Sequence, residues 1–183
     1  MEESDLKKYC EKAVQEGATH AKVIHPSSVV TAPWVRFKCL YGCHLRSGYG
    51  CPPDTPTPWQ TRAVLDSYGR AILFHLEKDR RFFDILFGVR KHVIFYDMLV
   101  TMEGELFKDG HYKAFVMLAG PCELCKECGK LEGIPCRSPA RARPSMEAHG
   151  IDVFQTVKNN GFSIWTLRKR LESQNIYCLM LVD

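Results

Sequence analysis

Four cysteines share one short stretch, Gly120-Pro121-Cys122-Glu123-Leu124-Cys125-Lys126-Glu127-Cys128, closed by Cys136. This C-x2-C-x2-C-x7-C spacing, on a loop punctuated by Gly120, Pro121, Gly129, Gly133 and Pro135, constrains the chain more than any other feature. Two intervening residues let successive Cβ vectors turn toward one centre. The glycines and prolines leave backbone N–H groups free to aim at sulfur. Zinc also takes four thiolates, but its usual form is two separated C-x2-C knuckles. Three cysteines in unbroken register favour an iron-sulfur cluster, with zinc as the alternative.

A second stretch carries Cys39, Cys43 and Cys51 at C-x3-C-x7-C across a glycine-rich loop, followed by Pro52-Pro53. Proline after the last cysteine is a habit of cluster-binding loops. The plain structural reading is three buried thiols in a turn, although small apolar residues would pack as well without the reactivity. Seven cysteines therefore lie in two loops, one short of the eight that two fully thiolate-ligated 4Fe-4S clusters need. His44, Cys10, Cys178 or water could complete the smaller set.

Nine cysteines in all is an odd number that suits disulfides poorly and metal or redox chemistry better. The amino terminus is acidic and then basic, without an apolar core, which gives the expectation of a cytoplasmic protein with no secretory signal. The longest apolar runs, Tyr112 to Ala119 and Ile176 to Val182, are too short to span a bilayer. A formal net charge of +4 is modest, and its scattered residues form no basic stripe with interleaved aromatics, so nucleic acid is not an expected partner. Arg137, Arg141 and Arg143 follow the four-cysteine loop and could offset the negative charge of a cluster.

The chain of 183 residues is long enough to bury one core, and residues 1–183 are expected to form a single domain. Helical spacing of Leu6, Tyr9, Cys10, Ala13 and Val14 predicts a first helix, Asp5 to Glu16, capped by Ser4 and ended by Gly17; Cys10 falls on its buried stripe. His20 to His25 suits a short strand, and Val29 to Phe37 a second extended piece leading to Cys39. His20, His25 and His44 are each read first as structural or surface residues, His44 with most suspicion because it follows Cys43. A helix from Trp59 to Tyr68 follows Thr57-Pro58. Arg70 to Leu76 has the look of a strand buried on both faces. From Asp79 to about Phe107 the pattern is one long amphipathic helix. Tyr112 to Leu118 is a strand running straight into the Cys122 loop. Ser145 caps a single turn and Asp152 a helix from Val153 to Asn160. Ile164 to Leu167 and Ile176 to Val182 are strands, the last holding Cys178 as a core residue. The expected fold is α/β: a central sheet of about four to five strands flanked by helices, with both cysteine-rich loops meeting near one edge.

With both loops and Arg143-Pro144-Ser145-Met146-Glu147-Ala148-His149-Gly150-Ile151-Asp152 on the page, the chain resembles a family of small prokaryotic proteins described as metal-binding. The resemblance runs in order from about Lys38 to Gly161. It implies metal or iron-sulfur binding and no settled reaction. His149 stands where an apolar residue is expected.

Three functions follow from these residues. The first is an iron-sulfur protein with one or two 4Fe-4S clusters, acting in electron transfer or as a redox accessory to a partner protein. The second is an enzyme whose three-cysteine cluster keeps one iron open for a small-molecule substrate, with Glu147 and His149 as acid/base candidates and Tyr41 or Tyr49 as a hydrogen-bond donor. The third is a zinc-stabilised interaction module. No phosphate loop, dinucleotide-binding glycine pattern or Ser-His-Asp set is present.

Overall fold

The computed structural model describes residues 4–43, 48–78, 91–169 and 172–183. Its first helix, α1 (Ser4–Gln15), buries Leu6, Tyr9 and Ala13, and Gly17 follows at φ +112°. Strand β1 (His20–Ile24) comes next. The segment expected to stay extended to Cys39 instead coils at Pro33 into α2 (Pro33–Phe37), which runs directly into a wide helical turn over Lys38–Gly42. Proline at the first helical position explains the difference: its fixed φ suits a helix start, and its missing N–H costs nothing there.

Helix α3 (Pro58–Leu65) opens on a capping box between Thr57 and Gln60, and leads to β2 (Ala71–Lys78). The expected long helix is α4 (Lys91–Lys108); its predicted beginning, 79–90, lies outside the described residues. Phe95, Leu99, Met102 and Leu106 are its buried stripe. Strand β3 shortens to Phe115–Met117, because Tyr112 and Ala114 donate back into a turn at Gly110 and His111. Asp152 caps α5 (Val153–Asn159) by accepting from Gln155 N, and β4 (Gln174–Leu181) is the last strand. The strand expected over Ile164 to Leu167 is absent. That segment is irregular and leaves Trp165 and Leu167 exposed, while both inner positions of the sheet are taken by β2 and β4.

The sheet has order β1-β2-β4-β3, antiparallel throughout, and with its helices makes a mixed α/β single domain. Six consecutive buried residues in each of β2 and β4 reflect cover on both faces. One face meets α1 and α4, where Leu6, Tyr9, Leu99 and Leu106 pack on Ile72, Phe74, Cys178 and Met180. The other meets Leu65 of α3, Val157 of α5, Met146 and Ile151, which pack on Leu73, Tyr177 and Leu179. Among the described residues, no helix is long and apolar enough to cross a membrane.

Candidate metal centre

The segment Arg143–Asp152 ties the approaches to the two cysteine loops together. On one side Leu118, just beyond β3, bridges Ser145, with Leu118 N donating to Pro144 O (2.9 Å) and Met146 N to Leu118 O (2.8 Å). On the other side Thr31 bridges Ile151, with Ala32 N donating to Gly150 O and Asp152 N to Val30 O, each at 2.8 Å. Glu147 sits at the centre. Its carbonyl accepts from the Cys39 thiol (3.7 Å), and its carboxylate oxygen Oε2 accepts from Gly120 N (3.3 Å). Burial pushes the Glu147 carboxyl above the usual range.

Arg36 of α2 locks the same region. Its Nη1 donates to Thr55 Oγ1 (3.0 Å), Pro56 O (2.9 Å) and Ala148 O (2.8 Å), and the Thr55 hydroxyl donates to Ala148 O (2.7 Å). Gly150 holds φ +71°, and a Cβ there would lie 2.5 Å from Pro58 Cγ. Gly50, at φ +73°, would place its Cβ 3.1 Å from Pro144 Cα. Only glycine allows these backbones to close on one another.

The two loops touch through sulfur. Tyr49 N, from the three-cysteine loop, donates to Cys128 Sγ at 3.4 Å. That bond is the largest cause holding the Cys128 thiol below the ordinary value, with amides of Lys130 and Leu131 adding to it. Cys136 Sγ accepts from Ser138 N at 3.4 Å. Burial raises the Cys39 and Cys51 thiols, and the neighbouring Cys43 raises both further. Cys122 is raised first by desolvation within its folded loop, although solvent reaches the residue; Cys136, Cys125 and Cys128 add to the effect. Lys130 pairs with Asp54 across the loops. All nine cysteines are free thiols. Among the described residues, no three His, Cys, Asp or Glu side chains are gathered to hold a metal ion.

The remaining candidates divide. Cys178 is fully buried in the core, and Cys10 lines a separate groove of α1 and β1 where burial lifts its thiol to about 11. His44 lies outside the described residues. His149 is buried, donating Nδ1–H to Ser145 O (3.0 Å), with burial lowering its pKa, so its ring serves the turn and not open chemistry. Tyr41 is 82% exposed against Phe37, whereas Tyr49 works through its backbone. Arg141 pairs with Asp97 and Arg143 with Glu103, so their charges brace α4; Arg137 pairs with Glu132 but still feels Cys125.

A cavity of about 560 Å3 opens beside this region, lined among others by Cys39, Cys43, Cys51 and Cys122. A polar chain on its wall went unseen in the sequence: Lys78 Nζ donates to His92 Nδ1 (3.0 Å), and His92 Nε2 donates to Glu123 Oε2 (3.1 Å). His92 sits among the residues of an amphipathic helix pattern, which carries no sign of such a partner. A model of the family described as "Predicted metal-binding protein (DUF2284)" matches residues 22–182. The chain belongs to this family. Neither the curated proteins nor the solved structures yield a match. For a member of this metal-binding family, the donor set fits a soft, thiolate-binding metal. The cysteines are unoxidised, and backbone amides are aimed at two of the sulfurs in the four-cysteine loop.

Proposed function

We propose that the chain is an iron-sulfur protein in which Cys122, Cys125, Cys128 and Cys136 hold one 4Fe-4S cluster. Cys39, Cys43 and Cys51 offer three thiolates to a second, and the protein serves electron transfer or acts as a redox accessory in the cytoplasm. The observation that carries this reading is the Tyr49 amide on Cys128 Sγ, which makes one sulfur the junction of both loops. Amide donors to cysteine sulfur stabilise negative charge on a cluster and tune its potential. A bound cluster supplies one-electron storage. The chain's own part is to bring the approaches to the two loops together through Glu147, Arg36 and the Arg143–Asp152 segment, and to place Arg137 where its charge feels Cys125.

The cavity favours a second reading, an enzyme acting on a small molecule. Three of its lining cysteines form the incomplete set, and the Glu147 carboxyl, whose pKa burial raises, lines it too. Zinc remains the alternative metal. Protein purified without oxygen decides: the iron-sulfur reading expects brown protein, absorbing broadly near about 400 nm and bleaching on reduction, with about four to eight irons and matching sulfide per chain. Cys51→Ala should lower iron by half in a two-cluster protein and leave the Cys122 loop loaded. Colourless protein carrying zinc would sink the proposal.

A further inference from the structure

The three-cysteine loop reaches the four-cysteine loop from both sides of Cys51. That residue sits where two tight turns meet: its amide donates to Gly48 O (3.2 Å), and its carbonyl accepts from Asp54 N (3.1 Å). Inside the first turn Tyr49 N donates to Cys128 Sγ (3.4 Å), and at the end of the second Asp54 pairs with Lys130. Cys51 and Cys128 are therefore bracketed by the same pair of cross-loop contacts. Charge on Cys128 is felt by Cys51 in one loop and by Cys122 in the other. Cys128 also stays tied to its own loop. Leu131 N donates to Cys128 O (2.9 Å) and Ile134 N to Gly129 O (2.9 Å). A Cβ on Gly129 would lie 2.6 Å from Pro135 O, so the backbone returning to Cys136 closes directly against the residue after Cys128.

Seven loop cysteines face the eight ligand positions of two 4Fe-4S clusters. The shortfall disappears if one sulfur serves both. A thiolate can do so, because it is the ligating form and holds more lone pairs than a single iron takes. We propose that Cys128 is this shared ligand, completing the Cys39, Cys43 and Cys51 set while remaining in its own with Cys122, Cys125 and Cys136. The amides of Tyr49, Lys130 and Leu131 that already act on its sulfur would stabilise the negative charge gathered there. The assignment rests on the cluster reading for the identity of the metal. It leaves Cys10, in its separate groove, and Cys178, in the core, outside the centre.

The test uses anaerobically purified protein, with iron and sulfide counted before and after a ferrous chelator is added. About eight irons per chain, protected from the chelator, are expected in the wild type. Cys125→Ala opens one cluster, so about half of the iron should become extractable; Cys128→Ala opens both, and extraction should rise about twofold above that. Tyr49→Pro removes the amide donor but leaves the sulfur, so its iron should stay protected. A second readout needs no variant. After full reduction, clusters joined through one sulfur couple their spins, and the electron paramagnetic resonance signal of independent reduced clusters should be missing from the wild type. Half extraction in Cys128→Ala, full extraction in Tyr49→Pro, or independent-cluster signals in the wild type overturns the shared ligand and leaves the cluster reading standing. A wild type with about four irons does the same. Protein without iron fails the cluster reading itself, and the shared ligand with it.

Discussion

One nitrogen of Arg36 meets three acceptors that come from Thr55, Pro56 and Ala148. Two of the three are backbone carbonyls, from segments far apart in the chain. A guanidinium can do this because its donors stay charged and lie in a fixed fork. Arg36→Met keeps the aliphatic length and removes the donors. Ala148 O would still accept from Thr55, but Pro56 O would lose this donor. A stability loss of about 2–3 kcal/mol is expected, the range for hydrogen bonds from a charged group in a partly buried place. Urea unfolding measures it, and a change below about 0.5 kcal/mol, typical of plain surface substitutions, would show that Arg36 is not the lock described. Nothing in the sequence marks this residue. In a stretch expected to be extended it is one charge among hydrophobics, and its partners are main-chain atoms, which leave no trace in side-chain patterns.

At the scale of elements, the Arg143–Asp152 segment explains why three separated motifs belong together. It pairs with Leu118 on one edge and with Val30 to Ala32 on the other, so the backbone that leads to each cysteine loop hangs on the same strap. The strap is pinned by Gly150, where the left-handed backbone and the close approach of Pro58 both exclude a side chain. Gly161 makes a useful comparison: it has φ +81°, but a Cβ there would meet nothing within 4 Å. Gly161→Ala therefore costs the conformational strain alone, about 1 kcal/mol, while Gly150→Ala adds a steric collision and should cost about 3 kcal/mol. In a chain of this size that is a fall in Tm of about 6–12 °C for Gly150→Ala and about 2–4 °C for Gly161→Ala. Because both loops depend on the strap, Gly150→Ala should also lower metal content at the two sites together; loss confined to one loop would argue against the shared support. Helices α1 and α5 and strand β2 were legible because caps and periodicity are local. The strap was legible as a motif but not as a bridge, since its role lies in backbone pairings that join Leu118 on one edge to the distant Val30 to Ala32 on the other. Pro33 was misread because apolar residues on both sides of it suit a strand as well as a short helix.

For the molecule as a whole, acid should act in two stages. His75 and His149 are buried on different parts of the fold, and burial lowers both pKa values below that of an unfolded histidine. As pH falls through about 6.5 the unfolded chain takes up these protons before the folded one does, so stability is complete above that value and declines beneath it, by up to about 1.4 kcal/mol per pH unit for each ring. The second stage belongs to Asp183, whose carboxylate is held below the usual range first by hydrogen bonding to Arg70 and then by His111. Its contribution is present above about pH 4, the unfolded carboxylate value, and is lost as pH drops toward the folded value. Glutamine places an amide donor where His75 Nε2 meets Asn175 Oδ1, and asparagine one where His149 Nδ1 meets Ser145 O. The double variant His75→Gln/His149→Asn should therefore fold and lose less stability than the wild type between about pH 7.5 and about pH 5.5, while keeping the lower stage intact. Taking the difference between the two proteins cancels metal release on acidification, which both share. Parallel stability curves for the two across the upper window would show that the rings take up protons as readily in the folded chain as in the unfolded one.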